Sequence, residues 1–150
     1  MTKAFTLIEL IFIIVIVGIL SSVAVPRLVA TRDDALIAKN SEYIISIMSE
    51  ISTYIIANGE SEDNLTKMSS LLKKLNLQNR VIINIINKSA SVKIGEDPLC
   101  ITIDLNSSST TETLSTLFSS ITSSRTCKMV QSFIKEKDYP LTVRGQLIKY

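Results

Sequence analysis

Residues 1–26 read MTKAFTLIELIFIIVIVGILSSVAVP, and the segment Phe5-Thr6-Leu7-Ile8-Glu9-Leu10 within them decides how the chain is organised. From Leu10 to Val25 every residue is apolar or small, and Glu9 is the only carboxylate in the stretch. The span from Phe5 to Val25 makes about 31 Å of helix, enough for a hydrocarbon core of about 30 Å. A carboxylate in such a span costs about 2.5–3.5 kcal/mol at the helix centre and less near an end. A cation in the same low-dielectric layer is the natural compensation. Cleavage between Ala4 and Phe5 would supply one, the α-ammonium of Phe5, about 6 Å along the helix axis from Glu9.

These residues resemble the type IV pilin-like prepilin signature: a short basic leader, a small residue before the cut, Phe-Thr-Leu-Ile-Glu, and an apolar helix. The resemblance covers about Met1 to Leu28. It departs from the family at Ala4, where glycine is usual, although alanine is still small. The resemblance implies that a prepilin peptidase removes Met1–Ala4 and N-methylates Phe5, which leaves the amine positive. It also implies assembly through Phe5 and Glu9. The expected partners are other pilin or pseudopilin subunits, the peptidase, an inner-membrane assembly platform and the lipid bilayer. Family members lacking the acid serve as tip subunits in some systems, and Glu9 argues against that role. The plainer alternative is a single-pass anchor with an isolated glutamate.

A secretory signal fits poorly, because the apolar run exceeds the usual h-region of about 7–15 residues and ends without a small-x-small cleavage site. Lys3 before the span favours a cytoplasmic N-terminus, but Arg27 and Arg32 beyond it weaken the charge signal. The resemblance therefore sets the expected topology: a bacterial inner membrane, one pass, and the C-terminal head in the periplasm, with the assembled filament there or at the cell surface.

The expected organisation is a leader over 1–4, a membrane and filament-core helix over 5–26, its amphipathic continuation over 27–57, and an α+β head over 58–150. Ile37, Ile44, Ile47, Met48, Ile51 and Ile55 recur at spacings of three, four and seven, one face of a helix. Asn58-Gly59 is a stop signal. A helix from Phe5 to Ala57 would be about 80 Å long, with Gly18 and Pro26 as the weak positions where a kink is expected.

In the head, Leu65, Met68, Leu71, Leu72 and Leu75 predict one short amphipathic helix. Val81–Ile86 predicts a buried strand, paired with Ser91–Ile94 after a turn at Asn87–Ala90. Leu99–Leu105 alternates, with Ile101, Ile103 and Leu105 on one face and Cys100, Thr102 and Asp104 on the other. Asn106–Ser108 reads as a loop. Ser109-x-x-Glu112 has the form of a capping box, opening a helix that carries Leu114, Leu117, Phe118 and Ile121. Residues Cys127–Ile134 and Leu141–Ile148 read as short strands. The resulting fold class is a long helical spine packed on a small antiparallel sheet, as in pilins.

The residue inventory argues against an enzyme. With 150 residues, a net charge of +2, four glycines and no histidine, there is no imidazole base, no His metal ligand and no phosphate-cradling loop. The serines lack an evident activating base. No catalytic residue, cofactor or metal is assigned, and Glu96-Asp97-Pro98 reads as a solvated turn. Lys73, Lys74, Arg80, Lys128, Lys135 and Lys137 would line a DNA-contacting surface if the fold gathered them, and a solvated face is the plainer reading. The two cysteines, Cys100 and Cys127, would form a disulfide in an oxidising compartment, worth about 3–4 kcal/mol of chain entropy. Two unrelated buried thiols are the alternative. Type II secretion, DNA uptake and type IV pili all use subunits of this kind. A pseudopilin of the first two is expected, a major or minor pilin is second, and a membrane-anchored periplasmic binding module is the reading from a different class.

Overall fold

The computed structural model describes residues 5–108, 111–134 and 140–144. The first helix, α1, covers Leu7–Asn58 and includes Pro26. The chain divides into two compact units, Met1–Leu36 and Ile37–Tyr150. In the first unit every described residue from Phe5 to Leu36 is exposed, so none of the described residues covers the apolar surface. The stretch is long and apolar enough to cross a membrane.

The second unit is α+β, a helix packed on a five-stranded antiparallel sheet of order β1-β2-β3-β4-β5. It begins with the remainder of α1, where Ile37, Ile44, Ile47, Met48, Ile51 and Ile55 are all buried, as their spacing requires. The helix stops at Asn58 because Gly59 takes φ +79°, a conformation open to a residue without Cβ.

The expected single amphipathic helix is two, α2 over Leu65–Met68 and α3 over Ser70–Leu77. Ser69 separates them, with extended backbone and a hydroxyl that accepts from the Leu72 N–H at 3.0 Å. A serine able to cap the following turn competes with continuing the first helix.

Strand β1 covers only Val81–Asn84, two residues less than expected. The Asn84 side chain accepts from the Asn87 N–H at 3.2 Å, an Asx turn that reverses the chain early and leaves Ile85 and Ile86 in the turn, exposed. Strand β2 therefore starts at Ser89, inside the expected turn, and runs to Ile94. Strand β3, Asp97–Ser107, buries Ile101, Ile103 and Leu105 as the alternation predicts, and extends through Asn106 and Ser107, which had read as loop.

Two expectations are overturned. Residues Glu112–Phe118 form strand β4, not a helix; Ser109, the other half of the supposed capping box, lies outside the described residues. Glu112, Leu114 and Thr116 are buried while Thr113, Ser115 and Leu117 are not, a period of two that pairs β4 with β3 from Ser107↔Glu112 to Ile101↔Phe118. The free edge of β3 has backbone donors and acceptors to satisfy, and this decides against the weak helical spacing of Leu114, Leu117, Phe118 and Ile121. Conversely, Arg125–Phe133 is helix α4, not a strand. Ser124 caps it, accepting from the Cys127 N–H, and Cys127, Val130 and Ile134 make its buried face. Strand β5, Leu141–Arg144, completes the sheet, and the rest of the expected Leu141–Ile148 strand lies outside the described residues.

Ile44, Ile47, Ile51 and Ile55 of α1 meet Leu65, Leu72, Ile94, Ile101, Ile103, Leu114 and Val130 in one core. Cys100 is joined to Cys127 by a disulfide with a Cα–Cα distance of 5.8 Å. Cys100 is fully buried, like its neighbour Ile101, rather than facing solvent.

Candidate assembly site

The amide and hydroxyl of Thr6 organise the start of α1. The Glu9 N–H approaches Thr6 Oγ1 at 3.4 Å, while Glu9 Oε2 accepts from the Thr6 hydroxyl at 3.2 Å and from its N–H at 3.4 Å. Thr6-Leu7-Ile8-Glu9 is thus a reciprocal capping box. The carboxylate turns back towards the helix N-terminus, where the exposed N–H groups carry partial positive charge. The same Ser/Thr-x-x-Glu spacing that Ser109 and Glu112 show is present at Thr6 and Glu9, and it is the sequence signal for this box.

Both Phe5 and Glu9 are exposed, and among the described residues no cation lies within ion-pair distance of Glu9. Ala4 lies outside the described residues. The neutral donors of Thr6 orient the carboxylate without cancelling its charge.

Gly18 and Pro26 fall inside α1. A Cβ at Gly18 would meet nothing within 4 Å, so the packing of this chain alone does not demand a glycine there. Pro26 has no N–H, which deprives the Ser22 carbonyl of its usual donor. The Ser22 hydroxyl in turn donates to the Ile19 carbonyl at 2.7 Å.

Within the second unit, polar groups hold elements together. Glu50 of α1 accepts from the Ser69 hydroxyl at 2.7 Å, the Ser70 hydroxyl at 3.3 Å and the Leu71 N–H at 3.2 Å, capping α3. Partial burial alone would raise its carboxyl, but the Ser69, Leu71 and Ser70 hydrogen bonds prevail and hold it below the usual value. Asp97 is not the solvated turn residue expected. It is buried and accepts from the Ser124 N–H at 3.0 Å and the Ser123 hydroxyl at 3.0 Å, and the Ser124 bond leads in lowering its carboxyl. Its oxygens are committed to the start of α4. Among the described residues no cluster of His, Cys, Asp and Glu could hold a metal ion.

The basic residues serve different elements. Arg80 donates to Asn40 Oδ1 at 2.8 Å and lies 5.4 Å from the Tyr43 ring centroid, clamping the start of β1 to α1. Lys73 and Lys74 are on α3 and Lys128 on α4, while Lys135 and Lys137 lie outside the described residues. Glu112, buried on β4, accepts from the Ser61 hydroxyl at 2.7 Å and lies 3.9 Å from Arg144 Nε, binding the segment after α1 to the edge of the sheet. No family model matches the chain, and comparison with curated proteins and with solved structures returns no match.

Proposed function

We propose that this chain is a structural subunit of a type IV pilus-like filament, a pseudopilin acting in type II secretion or DNA uptake, and not an enzyme. The observation that carries the reading is the Glu9 carboxylate, oriented by Thr6 at the start of an exposed apolar helix. In this reading the peptidase cuts between Ala4 and Phe5 and methylates Phe5. The chain waits in the inner membrane with its head in the periplasm. On extraction, Glu9 of the incoming copy neutralises the Phe5 ammonium of its neighbour and sets axial register.

The exposed side chains from Leu7 to Leu20 provide the packing area. Gly18 allows a neighbouring helix to approach closely, a role consistent with the open space around it. The second unit supplies a head stapled by the Cys100–Cys127 disulfide. A disulfide in the C-terminal half is also what favours the second reading, a type IV pilin.

Glu9→Gln and Glu9→Ala variants test this. Both should stay membrane-inserted yet enter filaments poorly, read by shearing and by crosslinked ladders. Normal incorporation of either variant refutes the role.

A further inference from the structure

Three asparagines of the second unit open an Asn-x-Ser/Thr triplet without proline: Asn64-Leu65-Thr66, Asn87-Lys88-Ser89 and Asn106-Ser107-Ser108. This triplet is the acceptor pattern for N-linked glycosylation, and alone it is short enough to arise by chance. Two of the three also carry a carboxylate two positions earlier, Glu62 before Asn64 and Asp104 before Asn106. That is the longer acceptor form, Asp/Glu-x-Asn-x-Ser/Thr, read by transferases that hold the extra acid with a cation of their own.

The fold separates these two candidates. Asp104 and Asn106 lie in β3, where Asp104 pairs with Ser89 on one side and Ser115 on the other, and Asn106 pairs with Thr113. A transferase bends the acceptor backbone round its own site, and this ladder would have to break first. Asn64 instead ends the segment 59–64, which is neither helix nor strand.

Local geometry at Asn64 fits attachment. Its Oδ1 accepts from the Thr66 N–H at 3.0 Å and from the Thr66 hydroxyl at 2.8 Å, capping α2. The hydroxyl that the acceptor pattern requires is therefore already turned onto the asparagine amide. Among the described residues Nδ2 donates to no acceptor, so a substituent there leaves the cap intact. The Glu62 carboxylate is held by Lys67 at 3.1 Å, and its side chain is 40% exposed. A surface pair of this kind contributes little, so the carboxylate can change partner. The same segment borders a polar cavity of about 320 Å³ lined by Tyr54, Asn58, Glu60, Ser61, Glu62 and Asp63, which offers hydrogen-bonding groups to the first sugars.

We infer that Asn64 is an N-glycosylation acceptor, taking an oligosaccharide from a lipid pyrophosphate carrier. The sugar C1–O bond to the pyrophosphate breaks and a C1–Nδ2 bond forms. The lipid pyrophosphate leaves with the electron pair, and the proton lost from Nδ2 passes to solvent. The glycan is bulky and solubilising and covers the link between α1 and α2. The inference rests on the periplasmic head of the reading above, since the transferase and its donor must meet this side of the chain.

The test uses the full chain from cells that hold an active transferase of the acidic-acceptor type and its lipid-linked donor, read by intact mass and by fragmentation of the peptide containing Asn64. A mass increment of whole sugar residues on Asn64 is expected. It should vanish in Asn64→Asp, which keeps an N-cap oxygen and should unfold at the wild-type urea midpoint. It should also vanish in Thr66→Ala and Glu62→Gln and persist in Thr66→Ser. An unmodified Asn64 in cells that glycosylate another acceptor, on a chain whose N-terminus is Phe5 and whose head is open to protease from the periplasm, would overturn the inference and leave the filament standing. A head closed to that protease would overturn both. A glycan on Asn106 with none on Asn64 would overturn the choice of acceptor, and one that persists in Glu62→Gln would overturn the role of the acid.

Discussion

Replacing Glu50 by alanine removes the acceptor that fixes α3 to α1. The Ser69 hydroxyl donates to this carboxylate at 2.7 Å and is only 1% exposed at the residue level, so water cannot readily replace the acceptor. An unsatisfied buried hydroxyl costs about 1–3 kcal/mol. Loss of a negative charge at the N-terminus of α3 adds about 0.3–1 kcal/mol. The Leu71 and Ser70 donors are more exposed and are resatisfied by water, so the total is about 2–3 kcal/mol. For a unit of this size each kcal/mol moves the midpoint by about 4–8 °C, giving a fall of about 10–20 °C. Tyr43 and Tyr54 pack partly buried against the core, so tyrosine fluorescence of the full chain in detergent reports the transition under urea or heat. Glu50→Gln keeps one acceptor oxygen and should lose about 1 kcal/mol. Because the folded carboxyl lies below its ordinary value of 4.5, its contribution is complete at neutral pH and fades as pH falls through the folded value. The gap between wild type and Glu50→Gln should therefore narrow only below about pH 4.5. A Glu50→Ala chain within about 0.5 kcal/mol of wild type would refute the capping role.

Three further outcomes are expected. Cys127→Ser opens a loop with a sequence separation of 27 and should lower stability by about 3–4 kcal/mol, measured by urea titration against the oxidised wild type. Ser124→Ala removes the cap of α4 and should cost about 1 kcal/mol in the same titration, with a larger loss at Asp97→Ala, which frees both Ser123 and Ser124 donors. In assembled filaments, backbone amides from Gly18 to Arg27 should exchange faster than those of Ile44–Ile55, since Pro26 breaks the hydrogen-bond ladder; equal protection contradicts that weakness.

What could be read from residues alone followed the strength of periodicity. The Ile37–Ile55 stripe repeats over five turns, and each of its predicted positions is buried. Gly59 stopped the helix for the expected reason. Short segments failed where pairing demands outweighed local spacing. Glu112–Phe118 carries both a helical spacing of leucines and a strand alternation of Glu112, Leu114 and Thr116, and only the open edge of β3 selects between them. The β1 end is masked in the sequence because Asn84, a turn former, sits inside the apolar run Val81–Ile86. Residues Ser124–Ile134 carry a legible helix signal, a serine cap followed by Cys127, Val130 and Ile134 at spacings of three and four. At the start of α1 the charge of Glu9 is evident from the sequence, and the geometry adds its hydrogen bonds to Thr6. The use of Asp97 to start α4 was not legible, because Asp97 and Ser124 are brought together only by the sheet and the disulfide.

The most direct measurement is the intact mass and N-terminal sequence of the chain purified from cells that possess an active prepilin peptidase. A polypeptide starting at N-methylated Phe5 is predicted, with its amine available to meet a neighbour's Glu9. A chain that still starts at Met1 in those cells contradicts the central claim, since no such amine would exist.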